Sequence, residues 1–162
     1  HNGYVFTDDP VFHRRLAIRL EKDVYVLDDR ITGPGFADHD FRLTFNFAPG
    51  KLTGEGRVYQ YETPRGRAYT FTAACDAELH PVVLEGSENP PGGWVSYGYS
   101  LRVPCPQLQL KRQGKAPFRC ITVIAPAGCE ASVKFEQDAA IVTLNGVYHT
   151  RLTLRGDIIE RK

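Results

Sequence analysis

Between Phe41 and Phe47 the chain alternates without a break: Phe41, Leu43, Phe45 and Phe47 are apolar, and Arg42, Thr44 and Asn46 are polar. A period of two puts the apolar side chains on one face of a β-strand and the polar ones on the other. An apolar face of that size must be buried against a second layer. The strand therefore calls for a packed partner sheet rather than a solvated hairpin. Ahead of it, Tyr25–Leu27 is apolar and extended, and Asp28 to Asp38 reads as a turn rich in Asp, Gly and Pro. Ala48-Pro49-Gly50 stops the strand.

The rest of the chain repeats this pattern in shorter pieces. Thr7-Asp8-Asp9-Pro10 marks a turn before a strand over Val11–Leu20, and Glu21-Lys22-Asp23 returns the chain into Val24–Leu27. Further strands are predicted at Arg57–Tyr61, Ala68–Ala73, Val82–Leu84, Trp94–Tyr99, Gln107–Lys111, Phe118–Ala125, Ala131–Phe135, Ala139–Leu144 and Val147–Leu154. Turn clusters separate them, and the loop over Leu84–Gly93 is expected to be the most mobile. Asn145-Gly146 supplies the two positive-φ positions of a type I′ turn. In that register Val142 faces His149 and Thr143 faces Tyr148. No segment carries an apolar stripe at helical spacing. About a dozen short strands with tight turns predict an all-β fold, an antiparallel β-sandwich, since parallel strands would need crossover helices.

At 162 residues, a chain buries roughly 70% of its unfolded surface, so one core needs no metal or disulfide staple. A single domain over 1–162 is expected. The four cysteines, Cys75, Cys105, Cys120 and Cys129, form no CxxC pair, and free thiols are favoured over bridges. A net charge of +1 argues against nucleic acid as a partner, and no apolar run is long enough to span a bilayer. The chain opens at His1 and has no methionine, which reads as a piece of a longer polypeptide.

Chemistry is harder to place. The serines lie in no GxSxG elbow, and the Gly33-Pro34-Gly35 and Gly54-Glu55-Gly56 turns lack the strand-to-helix setting of a phosphate loop. Asp38-His39-Asp40 sets hard oxygen donors beside an imidazole, a weak candidate for a divalent metal against the plainer reading of a polar turn. Apart from it no cofactor is expected. Trp94, Tyr97 and Tyr99 follow a Gly-Pro-rich loop; such rings stack on sugars when exposed, though packing is the commoner role. Basic residues gather locally at His13-Arg14-Arg15, at Arg65 with Arg67, and at Lys111-Arg112 with Lys115 and Arg119. Arginine forks suit carboxylate and sulfate. Each group could equally be a solvated face.

Several of these stretches stand in a recognisable order. They are His1-Asn2-Gly3-Tyr4, Pro10-Val11 with His13-Arg14-Arg15, Asp28-Asp29 leading to Gly33 and Gly35, His39, and Phe45-Asn46-Phe47-Ala48-Pro49. Later come Gly93-Trp94-Val95-Ser96 with Tyr99, and Thr122-Val123-Ile124-Ala125-Pro126. The ordered set resembles the C-terminal region of the heparinase II/III-like family. That resemblance implies a β-sandwich that follows a helical toroid in a polysaccharide lyase acting on uronic-acid glycans such as glycosaminoglycans. It also implies a periplasmic or extracellular setting. The partners it implies are an acidic polysaccharide and the helical toroid domain of the same polypeptide. The family's groups for β-elimination come largely from upstream of the matching region, so no catalytic residue is carried over and the isolated chain is expected to be inactive. Relatives often carry histidine where this chain has Asn46. The substrate-binding candidates are His13, Arg14, Arg15, Trp94, Tyr99 and Arg112. The alternative is a structural or assembly module without glycan binding, forming homo-oligomers through exposed strand edges.

Overall fold

The computed structural model describes residues 6, 8–137, 139–153 and 159–161, with the backbone alone at 148, 149 and 159–161. The His1-Asn2-Gly3-Tyr4 stretch and Leu154 lie outside the described residues. Strand β1 (Phe12–Glu21) turns at Lys22-Asp23 into β2 (Val24–Thr32). Then come β3 (His39–Asn46) and a meander of β4 (Lys51–Glu55), β5 (Val58–Glu62) and β6 (Ala68–Cys75). Next are β7 (His80–Leu84), the short pair β8 (Ser87–Glu88) and β9 (Pro91–Gly92), and the hairpin β10 (Trp94–Gly98) and β11 (Leu101–Pro104). Last are β12 (Gln107–Gly114), β13 (Phe118–Pro126), β14 (Ala131–Glu136), β15 (Ala139–Leu144), β16 (Val147–Thr153) and β17 (Ile159–Arg161). Every pairing among them is antiparallel, and the described residues contain no helix, so none that could cross a membrane.

The strands build an antiparallel sandwich with one layer added. The central sheet runs β1-β2-β13-β6-β5-β4. One of its faces packs on β3-β12-β7 through a core that includes Leu43, Phe45, Phe71, Leu108, Leu110 and Phe118. The other packs on β14-β15-β16-β17 through Ile18, Val26, Ile121, Val123, Ala140 and Val142. The period of two in β13 explains how one strand serves both cores: Phe118 and Cys120 enter the first, and Ile121, Val123 and Ala125 the second. The apolar face predicted for Phe41–Phe47 meets its opposing layer. Phe45 lies edge-on to Phe71 at 4.8 Å, and Phe41 to Phe118 at 4.8 Å.

Two expectations need correction. Asp28-Asp29-Arg30 does not turn; β2 runs on through Thr32 with both carboxylates buried. Charge pairing makes this tolerable. Asp28 Oδ1 accepts from Arg119 Nε at 2.8 Å and its Oδ2 from Arg30 Nη2 at 2.6 Å, while the two guanidinium groups also donate to the Leu152 and Thr153 carbonyls. The cluster thereby ties the central sheet to β16. Burial alone would push the Asp28 carboxyl up, but hydrogen bonds from Arg119 and Arg30 outweigh it and hold it below the ordinary value. In the Asn145-Gly146 hairpin Thr143 does face Tyr148, but Val142 faces Thr150. A bulge in β16 takes up one residue, so His149 is not opposite Val142. Strands β4, β11 and β17 were not legible in the sequence, nor was the short pair β8–β9, which forms within the loop expected over Leu84–Gly93.

Candidate functional site

Strand β1 presents His13 and Arg15 to the same side, and both meet Asp29. The imidazole Nε2 lies 2.7 Å from Asp29 Oδ1, and Arg15 donates through Nε and Nη2 at 2.7 and 3.0 Å. The register explains this: Arg15 stands directly opposite Asp29, and His13 opposite Ile31 one period along. The Arg15 guanidinium also lies 5.0 Å over the Phe45 ring. It borders an open cleft of about 470 Å³ walled by Phe45, Asn46, Phe47, Tyr61, Tyr69 and Phe71. Tyr61 donates to the Ala48 carbonyl at 3.0 Å, and burial raises its pKa, so the phenol stays a protonated donor. Asn46 Oδ1 accepts from Gln107 Nε2 at 2.7 Å, and Gln107 Oε1 accepts from Gln109 Nε2 at 2.6 Å. Arg14 falls between His13 and Arg15 and so points to the opposite face of β1.

Strand β12 sits between β3 and β7, and its register aligns their outward side chains in cross-strand rows. Asn46, Gln107 and Leu84 form one row, and Thr44, Gln109 and Val82 the next. The third is Arg42, Lys111 and His80. Strands lie about 4.8 Å apart, and like charges directly opposite one another are destabilising. Among the described residues none of these three basic groups pairs with a carboxylate. A cleft of about 370 Å³ opens beside them, with Asp40, Phe41, Arg112 and Gln113 also in its wall. Sequence inspection singled out Lys111 in a local basic group but missed Arg42 and His80. They lie 69 and 31 positions from Lys111, and only the register brings the three together.

The remaining candidates sit elsewhere. Arg112, next to Lys111, turns the other way: its guanidinium lies 5.0 Å over Phe118 and donates to the Gln113 and Lys115 carbonyls. Arg119 is buried on Asp28 and adds nothing to a basic surface. Trp94 and Tyr99 belong to the β10–β11 hairpin. The Trp94 indole donates to the Ser87 carbonyl at 3.0 Å, Arg102 stacks on its ring at 4.1 Å, and Arg102 pairs with Glu88. Tyr99, at the tip, is fully exposed, with Tyr97 and Leu101 also open to solvent. The structure therefore joins His13 to Arg15, and leaves Trp94 with Tyr99, and Arg112, on other sheets.

His39, between Asp38 and Asp40, pairs with a group distant in sequence, its Nε2 lying 2.9 Å from Asp9 Oδ2. Asp9 also accepts from the Ala37 and Phe36 amides, and the Ala37 amide, followed by His39, holds its carboxyl below the ordinary value. Among the described residues no group of three or more His, Cys, Asp or Glu side chains is placed to hold a metal ion.

No family model matches the chain, and no curated protein matches it. Solved structures do. A Heparinase III structure superposes with a TM-score of 0.71 at 19% identity, over 89% of this chain and 24% of that one. Heparan sulfate lyase HepC from Pedobacter heparinus gives 0.72 at 14% identity, over 91% of this chain and 25% of that one. At such identities the likeness is one of fold, and the chain spans about a quarter of the length of these proteins. The architecture is that of a heparinase-like β-sandwich region, as the ordered motifs implied.

Proposed function

We propose that this chain is the sandwich region of a polysaccharide lyase and that it holds an acidic glycan along the outer face of β3-β12-β7. The observation that carries the reading is the row Arg42-Lys111-His80, in which Arg42 and Lys111 stand directly opposite one another with no ion pair to a carboxylate among the described residues, Asp40 lying one step farther along the cleft wall. Sulfate or uronate groups would relieve that repulsion, and arginine and lysine would hold them by charge-assisted hydrogen bonds. Farther along the same face the exposed Asn46, whose Oδ1 is engaged by Gln107, keeps its amide nitrogen as a donor for a sugar hydroxyl. The cleft at Arg15 lies at the Asn46 end. Asp29 occupies Nε and Nη2 of Arg15 and so leaves Nη1 as the donor for a uronate carboxylate. A lyase breaks its glycan by β-elimination, which needs a base and a neutralised uronate. This chain supplies charge neutralisation, and the base belongs to the helical partner domain.

Immobilised heparin tests this. The chain is expected to be retained at low salt and released as salt rises. Arg42→Ala with Lys111→Ala should weaken binding at least about tenfold, as the loss of two charge-assisted contacts implies. Arg65→Ala with Arg67→Ala, in the turn between β5 and β6, should leave it unchanged. Passage of the unaltered chain through the column at low salt would remove the reading.

The β10–β11 hairpin favours a second reading, an assembly module. Its strands expose Tyr97, Leu101 and Val103 together, which suits a protein partner. Under that reading the isolated chain self-associates, and light scattering should give a mass above that of one chain. A Tyr97→Ser and Leu101→Ser pair should return it to a monomer. A monomer throughout would leave the glycan reading alone.

A further inference from the structure

Cys75 and Cys120 are direct cross-strand neighbours on β6 and β13, in the middle of the central sheet. The hydrogen-bond pattern fixes which kind of neighbours they are. The Asp76 amide donates to the Arg119 carbonyl at 3.1 Å. The Arg119 amide donates instead to Asp76 Oδ1 at 2.8 Å, and farther along the same register the Ala127 amide bonds the Ala68 carbonyl at 2.9 Å, so the ladder bonds fall at Asp76–Arg119 and at every second pair from it, and Cys75 and Cys120 form a non-hydrogen-bonded pair. At such pairs Cα atoms stand about 4.5 Å apart with the side chains close together, inside the range a disulfide spans. Both thiols are free, and both point into the core between the central sheet and β3-β12-β7.

The pair is not sealed off. Cys120 is wholly buried, but Cys75 borders a narrow cleft of about 180 Å³ with Gly56, Arg57, Ala77, Glu78 and Leu79. That is room for a small oxidant. The two thiols are also unequal. The hydrogen bond from Cys120 holds Cys75 below the ordinary thiol value against its burial, and the same bond, with burial, pushes Cys120 up. Cys75 is therefore the sulfur that ionises first, and it is the one at the cleft.

We propose that Cys75 and Cys120 form a modification site, where a hydroperoxide converts the thiol pair into a disulfide joining β6 to β13. The Cys75 thiolate attacks one oxygen of hydrogen peroxide, the O–O bond breaks, and hydroxide leaves as Cys75 sulfenic acid forms. Cys120 sulfur then attacks the Cys75 sulfur. The S–S bond forms, the S–O bond breaks, and water departs with the Cys120 proton. The protein gives up two protons and two electrons; the proton released by Cys75 joins the departing hydroxide, and peroxide is reduced to two waters.

The test uses the folded chain. It is treated with hydrogen peroxide, then unfolded in an alkylating reagent, digested and mapped by mass spectrometry. The expected product is one peptide pair linked through Cys75 and Cys120, reopened by dithiothreitol, with Cys105 and Cys129 alkylated. Cys75→Ser should leave Cys120 alkylated after the same treatment. If that variant fails to fold, the mapping of the unaltered chain stands by itself. Alkylation of both Cys75 and Cys120, a bridge from either to another cysteine, or sulfinic acid at Cys75 with Cys120 still free would each overturn the proposal.

Discussion

Asp28→Ala is expected to destabilise the fold by about 3–5 kcal/mol, the cost of leaving buried charges without their partner. Asp28 is fully buried and bonded to both Arg119 and Arg30, and its removal strands two guanidinium groups against β16. Chemical denaturation would show it as a lower midpoint with an unchanged slope. Replacing Asp28, Arg30 and Arg119 together by apolar residues of similar volume should recover most of the loss, because no unpaired charge remains. The pH dependence has a definite sign. The folded carboxyl titrates below its unfolded value of about 3.9, so its stabilisation is complete above that value and fades as pH falls through the lower folded one. The unaltered chain should lose stability below about pH 4, and Asp28→Ala should lose less over the same interval.

Phe71→Ala should cost a similar amount, about 3–5 kcal/mol, and for a different reason. Phe71 is almost fully buried and touches Phe45 at 4.8 Å and Phe47 at 5.7 Å. Its loss removes apolar burial and leaves a hole that a rigid sheet cannot close. Since Phe71 also walls the cleft at Arg15 and Asn46, the hole should be continuous with that cleft. An apolar fluorescent probe that does not bind the unaltered chain should then bind the variant, while the denaturation midpoint falls. Phe71→Leu, which fills most of the space, should restore the greater part of both.

How much of this was legible in the sequence depended on the range of the signal. Strand β3 was clear because its alternation is local, and so were β1 and β13. Asp28 and Asp29 looked like turn residues because their partners, Arg119 and Arg15, are supplied by other strands; a lone pair of aspartates in sequence carries no mark of a salt bridge. Strand β4 was hidden by Gly54, which reads as a turn residue but sits inside the strand opposite Tyr59 with a positive φ. His13, Arg14 and Arg15 were grouped as neighbours in sequence; the period of two keeps His13 with Arg15 and sends Arg14 to the other face. The Arg42-Lys111-His80 row could not be grouped in this way, since its members belong to three strands and only their pairing defines it. Local adjacency also misled: Lys111 and Arg112 looked like one basic group, yet consecutive strand residues point apart.

The double-sided burial of the central sheet bears on how the chain acquires its shape. Strand β13 joins β2 to β6, pairing Cys120 with both Asp29 and Cys75. As synthesis proceeds, the β1–β2 hairpin and the β4–β5–β6 meander exist as separate halves until residue 118 and beyond has emerged. Strand β3 likewise waits for β12. Two cores are thus completed late, by contacts between positions far apart in the sequence. Such topologies fold slowly, on the order of milliseconds to seconds, because the long intervening loops must close first.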